Sequence, residues 1–206
     1  MDYLWQNVWQ KELTEDKKKQ RTEYLKARDM LSLEYRESAS ESIFAKVKDI
    51  KAFKEAKVLL IYCNYKSEVI TENAICEYLS NGEKAIYLPK VSGEDMHFYK
   101  IDSLSQISEG YRGIREPYEN DYIFDENINS EDAVLIIPGA AFDKKGNRIG
   151  YGKGFYDRFL KKYPKICKIG IAFGVQMCKN MISSDYFDEG MDYVVTENEC
   201  IDCTLI

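Results

Sequence analysis

Apolar residues recur along this chain at intervals that fit strands alternating with helices. Val134-Leu135-Ile136-Ile137 is an unbroken apolar run, the pattern of a strand buried on both faces, and Pro138-Gly139 ends it. Residues 58–62 (VLLIY), 168–173 (KIGIAF) and 192–196 (DYVVT) read as further buried strands, and 85–89 (AIYLP) as one that stops at Pro89-Lys90. Residues 96–101 (MHFYKI) alternate instead, as an edge or antiparallel strand does. Helix-start chemistry at Thr14-Glu15-Asp16, with Leu25, Leu31 and Leu33 following, predicts a first helix over about 15–30. Ile43, Phe44, Val47, Ile50 and Phe53 predict a second within 38–56, and another is expected over about 70–80, ended by Asn81-Gly82. Residues 1–14 show no clear period and read as a terminal extension, while 102–132 read as irregular, acidic and aromatic. Buried strands alternating with helices, plus one alternating strand, indicate an α/β domain with a mostly parallel or mixed central sheet flanked by helices.

Composition narrows this picture. With 206 residues, 45% of them hydrophobic, the chain can bury one sizeable core, so a single domain over 1–206 is expected. A net charge of −6 and a pI near 5.1 argue against a nucleic-acid-binding surface. No apolar run approaches the roughly 18 residues that span a bilayer, and the start MDYLWQNVWQKE lacks signal-peptide character. A cytoplasmic monomer with a small-molecule substrate is expected, without nucleic-acid or membrane partners. The six cysteines have no disulfide-framework spacing and read as reduced thiols; Cys200-x-x-Cys203 lacks the second pair that a zinc site would need. His97 is the only histidine and falls in the alternating strand, which disfavours chemistry built on a histidine base.

The candidate chemistry lies after the Val134–Ile137 strand. Between Gly139 and Gly154, Gly146, Gly150 and Gly152 are interleaved with Lys144, Lys145, Arg148 and Lys153. Such a loop lets backbone N–H groups and cations approach an anion together. Phe155, Tyr156, Phe159 and Leu160 resume at helical spacing, so the loop empties onto a helix N-terminus, which favours negative charge. A strand, a glycine-rich turn and a helix also occur throughout α/β proteins, and two stricter nucleotide patterns fail here. Asn147 and Gly154 break the P-loop, and Phe155 breaks the dinucleotide fingerprint. Arg148 and Lys153 for a polyphosphate, with Asp157 for its magnesium, nevertheless make a minimal set for handling ATP. Lys17-Lys18-Lys19-Gln20-Arg21 reads by itself as a solvated basic face, although Lys17 and Arg21 at i, i+4 project together.

The stretch PGAAFDKKGNRIGYGKGFYDRFL resembles the signature of the 5-formyltetrahydrofolate cyclo-ligases, or 5,10-methenyltetrahydrofolate synthetases, PG-x-x-FD-x-x-G-x-RLG-x-G-x-GYYD. The resemblance extends, more weakly, from about Asp16 to about Glu197. It implies a three-layer Rossmann-like architecture and an ATP- and Mg2+-dependent conversion of 5-formyltetrahydrofolate to 5,10-methenyltetrahydrofolate through a phosphorylated formyl group. Within it, Lys17 and Arg21 match a phosphate-contacting K-x-x-x-R element, and Arg148, Ile149, Gly150, Tyr151, Gly152, Lys153, Gly154, Phe155 and Tyr156 form the ATP loop. Arg148, Lys153 and Tyr156 are implied as catalytic, Cys63, Glu68, Phe142 and Tyr156 as folate contacts, and Asp157 and Asp188 as magnesium ligands. Two positions depart from the pattern: Phe155 replaces a tyrosine, and Arg112, after Tyr111, stands where an aromatic usually precedes Gly113-Ile114-Arg115-Glu116-Pro117. Another ATP-dependent small-molecule kinase or ligase, or a non-catalytic nucleotide- or folate-binding protein, would use the same loop.

Overall fold

The computed structural model describes residues 2–110, 113–125, 127–183 and 188–205, with side chains from residue 15 onward. Tyr111 and Arg112, and Asp185, Tyr186 and Phe187 of the acidic loop, lie outside the described residues. Helix α1 spans Asp2–Asp29, so the stretch expected to be a separate extension continues the same helix through Thr14. An N-cap residue contributes only about 1 kcal/mol and starts a helix only where the preceding chain leaves helical backbone. The second predicted helix is two, α2 (Leu33–Asp49) and α3 (Lys51–Glu55), separated by extended backbone at Ile50. Ser32 caps α2 by accepting from the Tyr35 N–H at 3.1 Å. The carbonyls closing α3 are met by the buried Lys84, whose Nζ donates to Phe53 O and Ala56 O, each at 2.6 Å.

The strands are β1 (Val58–Leu60), β2 (Ala85–Ser92), β3 (Asp95–Ile101), β4 (Ile107–Glu109), β5 (Arg115–Pro117), β6 (Ala133–Ile137), β7 (Ala141–Phe142), β8 (Arg148–Ile149), β9 (Cys167–Ile171), β10 (Tyr193–Val195) and β11 (Cys200–Asp202). Helices α4 (Glu72–Asn81) and α5 (Phe155–Lys162) follow β1 and β8. Seven strands form the main sheet in the order β11-β10-β9-β6-β1-β2-β3. Neighbours from β10 to β2 run parallel, while β3 and β11 pair antiparallel at the two edges. The alternating 96–101 segment is thus an edge strand, as its period requires. Strand β2 continues past Pro89 because β1 accompanies it only to Tyr87, so the missing N–H falls on an edge-like stretch. The edge strand β11 and the two-residue pair β7–β8 are too short to carry a readable period.

Successive residues of the central strands face opposite layers. Leu59, Ile136, Ile169 and Ile171 pack with Ile43, Phe44, Val47, Phe53 and Ile75 of α2, α3 and α4. Leu60, Leu135, Ile137 and Val194 pack with Phe159 and Leu160 of α5 and with Phe98 and Phe124. Helix α1 belongs to neither layer. Its Tyr24 and Leu25 cover a smaller cluster of Ala140, Ala141, Ile149 and Ile182, beside the glycine-rich loop. Among the described residues no helix is long and apolar enough to cross a membrane.

The order of the sheet decides where a site can form. From β1 the chain moves to β2 on one side; from β6, on the other side of β1, it moves to β9. Ligands of open α/β sheets gather where neighbouring strands diverge in this way, at their carboxyl ends. The turn between β7 and β8 anchors the loop there: Gly146 has φ 83°, and its carbonyl accepts from the Met191 N–H at 2.9 Å. A Cβ on Gly146 would come within 2.5 Å of the Met191 carbonyl oxygen. Gly146→Ala is expected to cost on the order of 2 to 3 kcal/mol, from left-handed backbone strain and the backbone clash. A urea-unfolding midpoint equal to that of the wild type would show that this turn is not docked as described.

Candidate active site

The segment from Pro138 to Gly154 is shaped largely by its own polar residues. Asp143, 2% exposed, accepts from the N–H groups of Lys145 at 2.9 Å, Asn147 at 3.0 Å and Ile182 at 2.8 Å, and from Asn147 Nδ2 at 2.8 Å. A carboxylate that gathers four donors fixes the turn and returns the chain along β8. Arg148 then lies over the next glycine, since a Cβ on Gly150 would come within 2.8 Å of its Nη1. At Gly152, with φ 88°, a Cβ would meet the Arg21 guanidinium at 3.4 Å. These glycines leave room for guanidinium groups to lie against the main chain.

The charges expected to serve phosphate and magnesium are largely paired with each other. Arg148 Nη2 lies 3.0 Å from Asp157 Oδ1, with the Arg148 side chain 5% exposed and that of Asp157 21%. Lys17 Nζ lies 2.6 Å from Asp188 Oδ2. The two pairs are neighbours, because the Glu189 N–H also approaches Asp157 Oδ1, at 3.4 Å. Arg21 Nε donates to Gly150 O at 2.6 Å. Arg148 Nε is buried and has no hydrogen-bond partner among the described residues. Lys153 is exposed at the helix entrance, and its carbonyl accepts from Arg158 Nη1 at 2.9 Å. Gly154, with φ 65°, caps α5 without a side-chain hydrogen bond.

A second group crosses from the glycine-rich loop to the loop after β1. Tyr151 OH donates a short hydrogen bond to Glu68 Oε1, and Glu68 Oε2 accepts from the Tyr65 N–H at 2.9 Å. Arg28 Nη1 reaches Tyr151 OH at 2.8 Å, and its Nε reaches Ser67 Oγ at 3.0 Å. Burial raises the Glu68 pKa, against the opposing pull of Tyr151, the Tyr65 N–H and Arg28. Tyr151 is 42% exposed, but its hydroxyl is enclosed between Arg28 and Glu68; desolvation there, then the Glu68 carboxylate, pushes up its phenol, and the same two causes push up that of Tyr156.

Comparison with known proteins shows the family of this chain. The pattern of the 5-formyltetrahydrofolate cyclo-ligase family matches residues 13–197. The chain belongs to this family. It is 28% identical to a probable 5-formyltetrahydrofolate cyclo-ligase of Schizosaccharomyces pombe, over 80% of this chain and 87% of that one. To the 5-formyltetrahydrofolate cyclo-ligase of Haemophilus influenzae it is 29% identical, over 82% and 91%. An NMR structure of the 5,10-methenyltetrahydrofolate synthetase of Aquifex aeolicus superposes with a TM-score of 0.78 at 35% identity, covering 91% of this chain and 92% of that one.

The structure of this 5-formyltetrahydrofolate cyclo-ligase family member gathers some of the residues read from the sequence and separates others. Lys17, Arg21, Arg148, Gly150, Tyr151, Gly152, Asp157 and Asp188 are linked through the contacts above, and Glu68 joins them through Tyr151. Tyr156 lies under Arg148, whose guanidinium carbon is 5.6 Å from the ring centroid. Phe155, in place of a tyrosine, carries the Arg158 guanidinium at 5.1 Å. Phe142 and Ile149, expected to contact folate and ATP, are 0% and 1% exposed and pack inside two apolar clusters, so their side chains form the floor of the loop rather than its surface. Cys63 is buried in a small cleft with Glu72, Ile75, Leu104 and Arg115, and burial pushes its thiol up to about 11. Among the described residues there is no group of three or more His, Cys, Asp or Glu that could hold a metal ion.

Arg28 was not singled out from the sequence. It stands eleven residues after Lys17, about three helical turns further along the face that carries Lys17 and Arg21, and that spacing is the signal that could have found it. The Arg148–Asp157 pair gives a direct prediction. Asp157→Asn should lower stability by about 1 to 3 kcal/mol by weakening the partner of a buried guanidinium. The double variant Arg148→Met/Asp157→Asn should lose less than the sum of the single variants. Additive losses in urea unfolding would mean that the pair is not coupled.

Proposed function

We propose that this chain is a 5-formyltetrahydrofolate cyclo-ligase that consumes ATP with magnesium and closes 5-formyltetrahydrofolate to 5,10-methenyltetrahydrofolate. Family membership supports the reaction. The observation that carries the reading is the union of a cationic, glycine-rich loop with a buried carboxylate, Glu68, across the divergence of β6 and β1. The residues present fit a polyphosphate: buried Arg148 Nε is an unmet donor, and Arg21 and Lys153 flank Gly152. Nucleotide sites hold magnesium with one or two carboxylates supplemented by phosphate oxygens and water, and Asp157 and Asp188, whose chain neighbour Glu189 approaches Asp157, would provide the carboxylates here.

Bound ATP and magnesium would supply the phosphoryl group that turns the formyl oxygen into a leaving group, so that the arylamine nitrogen can close the ring as phosphate departs. The protein's part is positioning and charge neutralisation, which suits a site without histidine. Arg148, Lys17, Arg21 and Lys153 would face the phosphate oxygens. Arg148 and Lys17 are paired with Asp157 and Asp188. Glu68 would accept hydrogen bonds from the N–H edge of the reduced pterin, and the Tyr156 ring under Arg148 would limit water there. Phe142 and Ile149 would act through packing of the loop, and Cys63 through the backbone after β1.

The deciding experiment mixes the protein with ATP, magnesium and 5-formyltetrahydrofolate and follows the near-ultraviolet absorbance of the methenyl product. Its absence, with ATP still bound, would favour a non-catalytic binding protein, and ADP release with other substrates alone would favour a different kinase or ligase. Lys153→Ala should reduce kcat by about 10²- to 10³-fold through loss of a cation facing the transferring oxygens. Because Lys153 is exposed, its unfolding midpoint should stay that of the wild type. Unchanged steady-state kinetics would remove Lys153 from the mechanism.

A further inference from the structure

The group around Tyr151 ties together elements that carry different ligands in the functional reading above. Tyr151 stands between Gly150 and Gly152 at the tip of the glycine-rich loop, and its hydroxyl contacts both Arg28 Nη1 and Glu68 Oε1. Arg28, 5% exposed, also donates through Nε to Ser67 Oγ, and Ser67 in turn donates to Asp29. The network therefore closes through α1, the loop after β1 and the glycine-rich loop. The main chain on either side of Tyr151 is met by guanidinium groups, with Arg21 Nε donating to Gly150 O at 2.6 Å and Arg148 lying over Gly150. A segment flanked by glycines loses more conformational freedom on ordering than one of other residues.

We propose that Tyr151 and Arg28 are positioning residues that couple the folate and nucleotide sites, so that either ligand tightens binding of the other. A polyphosphate held by Arg21 and the Gly150–Gly152 main chain fixes the loop tip, and with it the Tyr151 hydroxyl on Glu68. The carboxylate then faces the pterin in one orientation. In the reverse direction, a pterin held by Glu68 fixes Tyr151 and the loop that must receive the phosphates. The ordering cost is met by the first ligand and not charged again to the second, which gives positive cooperativity without a large rearrangement. Coupling between binding equilibria is reciprocal. The forked guanidinium is essential to this arrangement, because Nε and Nη1 hold Ser67 and Tyr151 at the same time, which a lysine ammonium at position 28 cannot reproduce in the same geometry.

This inference rests on the functional reading above, and its test separates the two. The dissociation constant of 5-formyltetrahydrofolate is measured by calorimetry with and without magnesium and a non-hydrolysable β,γ-methylene analogue of ATP. In the wild type the analogue should tighten folate binding by about five-fold or more. In Tyr151→Phe, which keeps the ring and loses both hydrogen bonds, the ratio should fall to within about two-fold of unity, whatever happens to either affinity alone. Arg28→Lys should lose the coupling in the same way. A merely structural role would change affinities or the melting temperature and leave the ratio intact. A wild-type ratio of one, or the wild-type ratio kept by Tyr151→Phe or Arg28→Lys, overturns the coupling even if one variant fails to fold. A wild type that binds neither ligand overturns the functional reading itself.

Discussion

Strands β1 and β6 lie side by side and parallel, yet the chain leaves them toward opposite edges of the sheet. That divergence opens the space in which two loops face each other, one bearing Glu68 and the other bearing the glycine-rich segment. Both strands are wholly buried, so their register is fixed by packing on both faces and the loop origins are held firmly. Helix α1 closes the third side. Its apolar residues Tyr24 and Leu25 seat it on the loop's own apolar floor, while Arg21 and Arg28 reach the polar side of the same loop and Lys17 reaches Asp188 before β10.

The glycine-rich loop resolves a conflict between shape and charge. It has to leave space for the arginines that lie against it, which favours glycine, but a chain of glycines is entropically costly to hold. Two devices offset that cost. The Asp143 carboxylate accepts from Lys145 and Asn147 in the turn between β7 and β8 and ties that turn to the Ile182 N–H, and Phe142 fills the core below, where Gly139 and Gly170 leave room for its ring. Signature residues on one stretch thus divide into those that build the loop and those that face outward from it.

The arrangement of charge follows from the same economy. Burying the Arg148 guanidinium without a counter-charge would be strongly unfavourable, and Asp157 in the first turn of α5 supplies one. Lys17 and Asp188 repeat the pattern at a more accessible position. Each cation of these two pairs is thereby matched by a carboxylate close to it.

The sequence by itself determined the strand and helix alternation, the buried and edge strands and the glycine-rich turn, because burial on one or two faces leaves a period that local chemistry cannot disguise. It also put Lys17 and Arg21 on one helical face and carried a family signature that is spread over most of the chain. It could not show that α1 runs unbroken through Thr14, where no cap ends the preceding helical backbone, nor that Ile50 divides the second helix or that β7 and β8 pair, since Lys84 on the α3 carbonyls and the β7–β8 ladder join residues apart in sequence. Only the tertiary structure decided that Phe142 and Ile149 face inward and that Asp157 pairs with Arg148. The meeting of Arg28, Tyr151 and Glu68 was likewise settled there. Their side-chain chemistry is local, but their proximity is created by the order of strands in the sheet, and strand order leaves no trace in the spacing of residues along the chain.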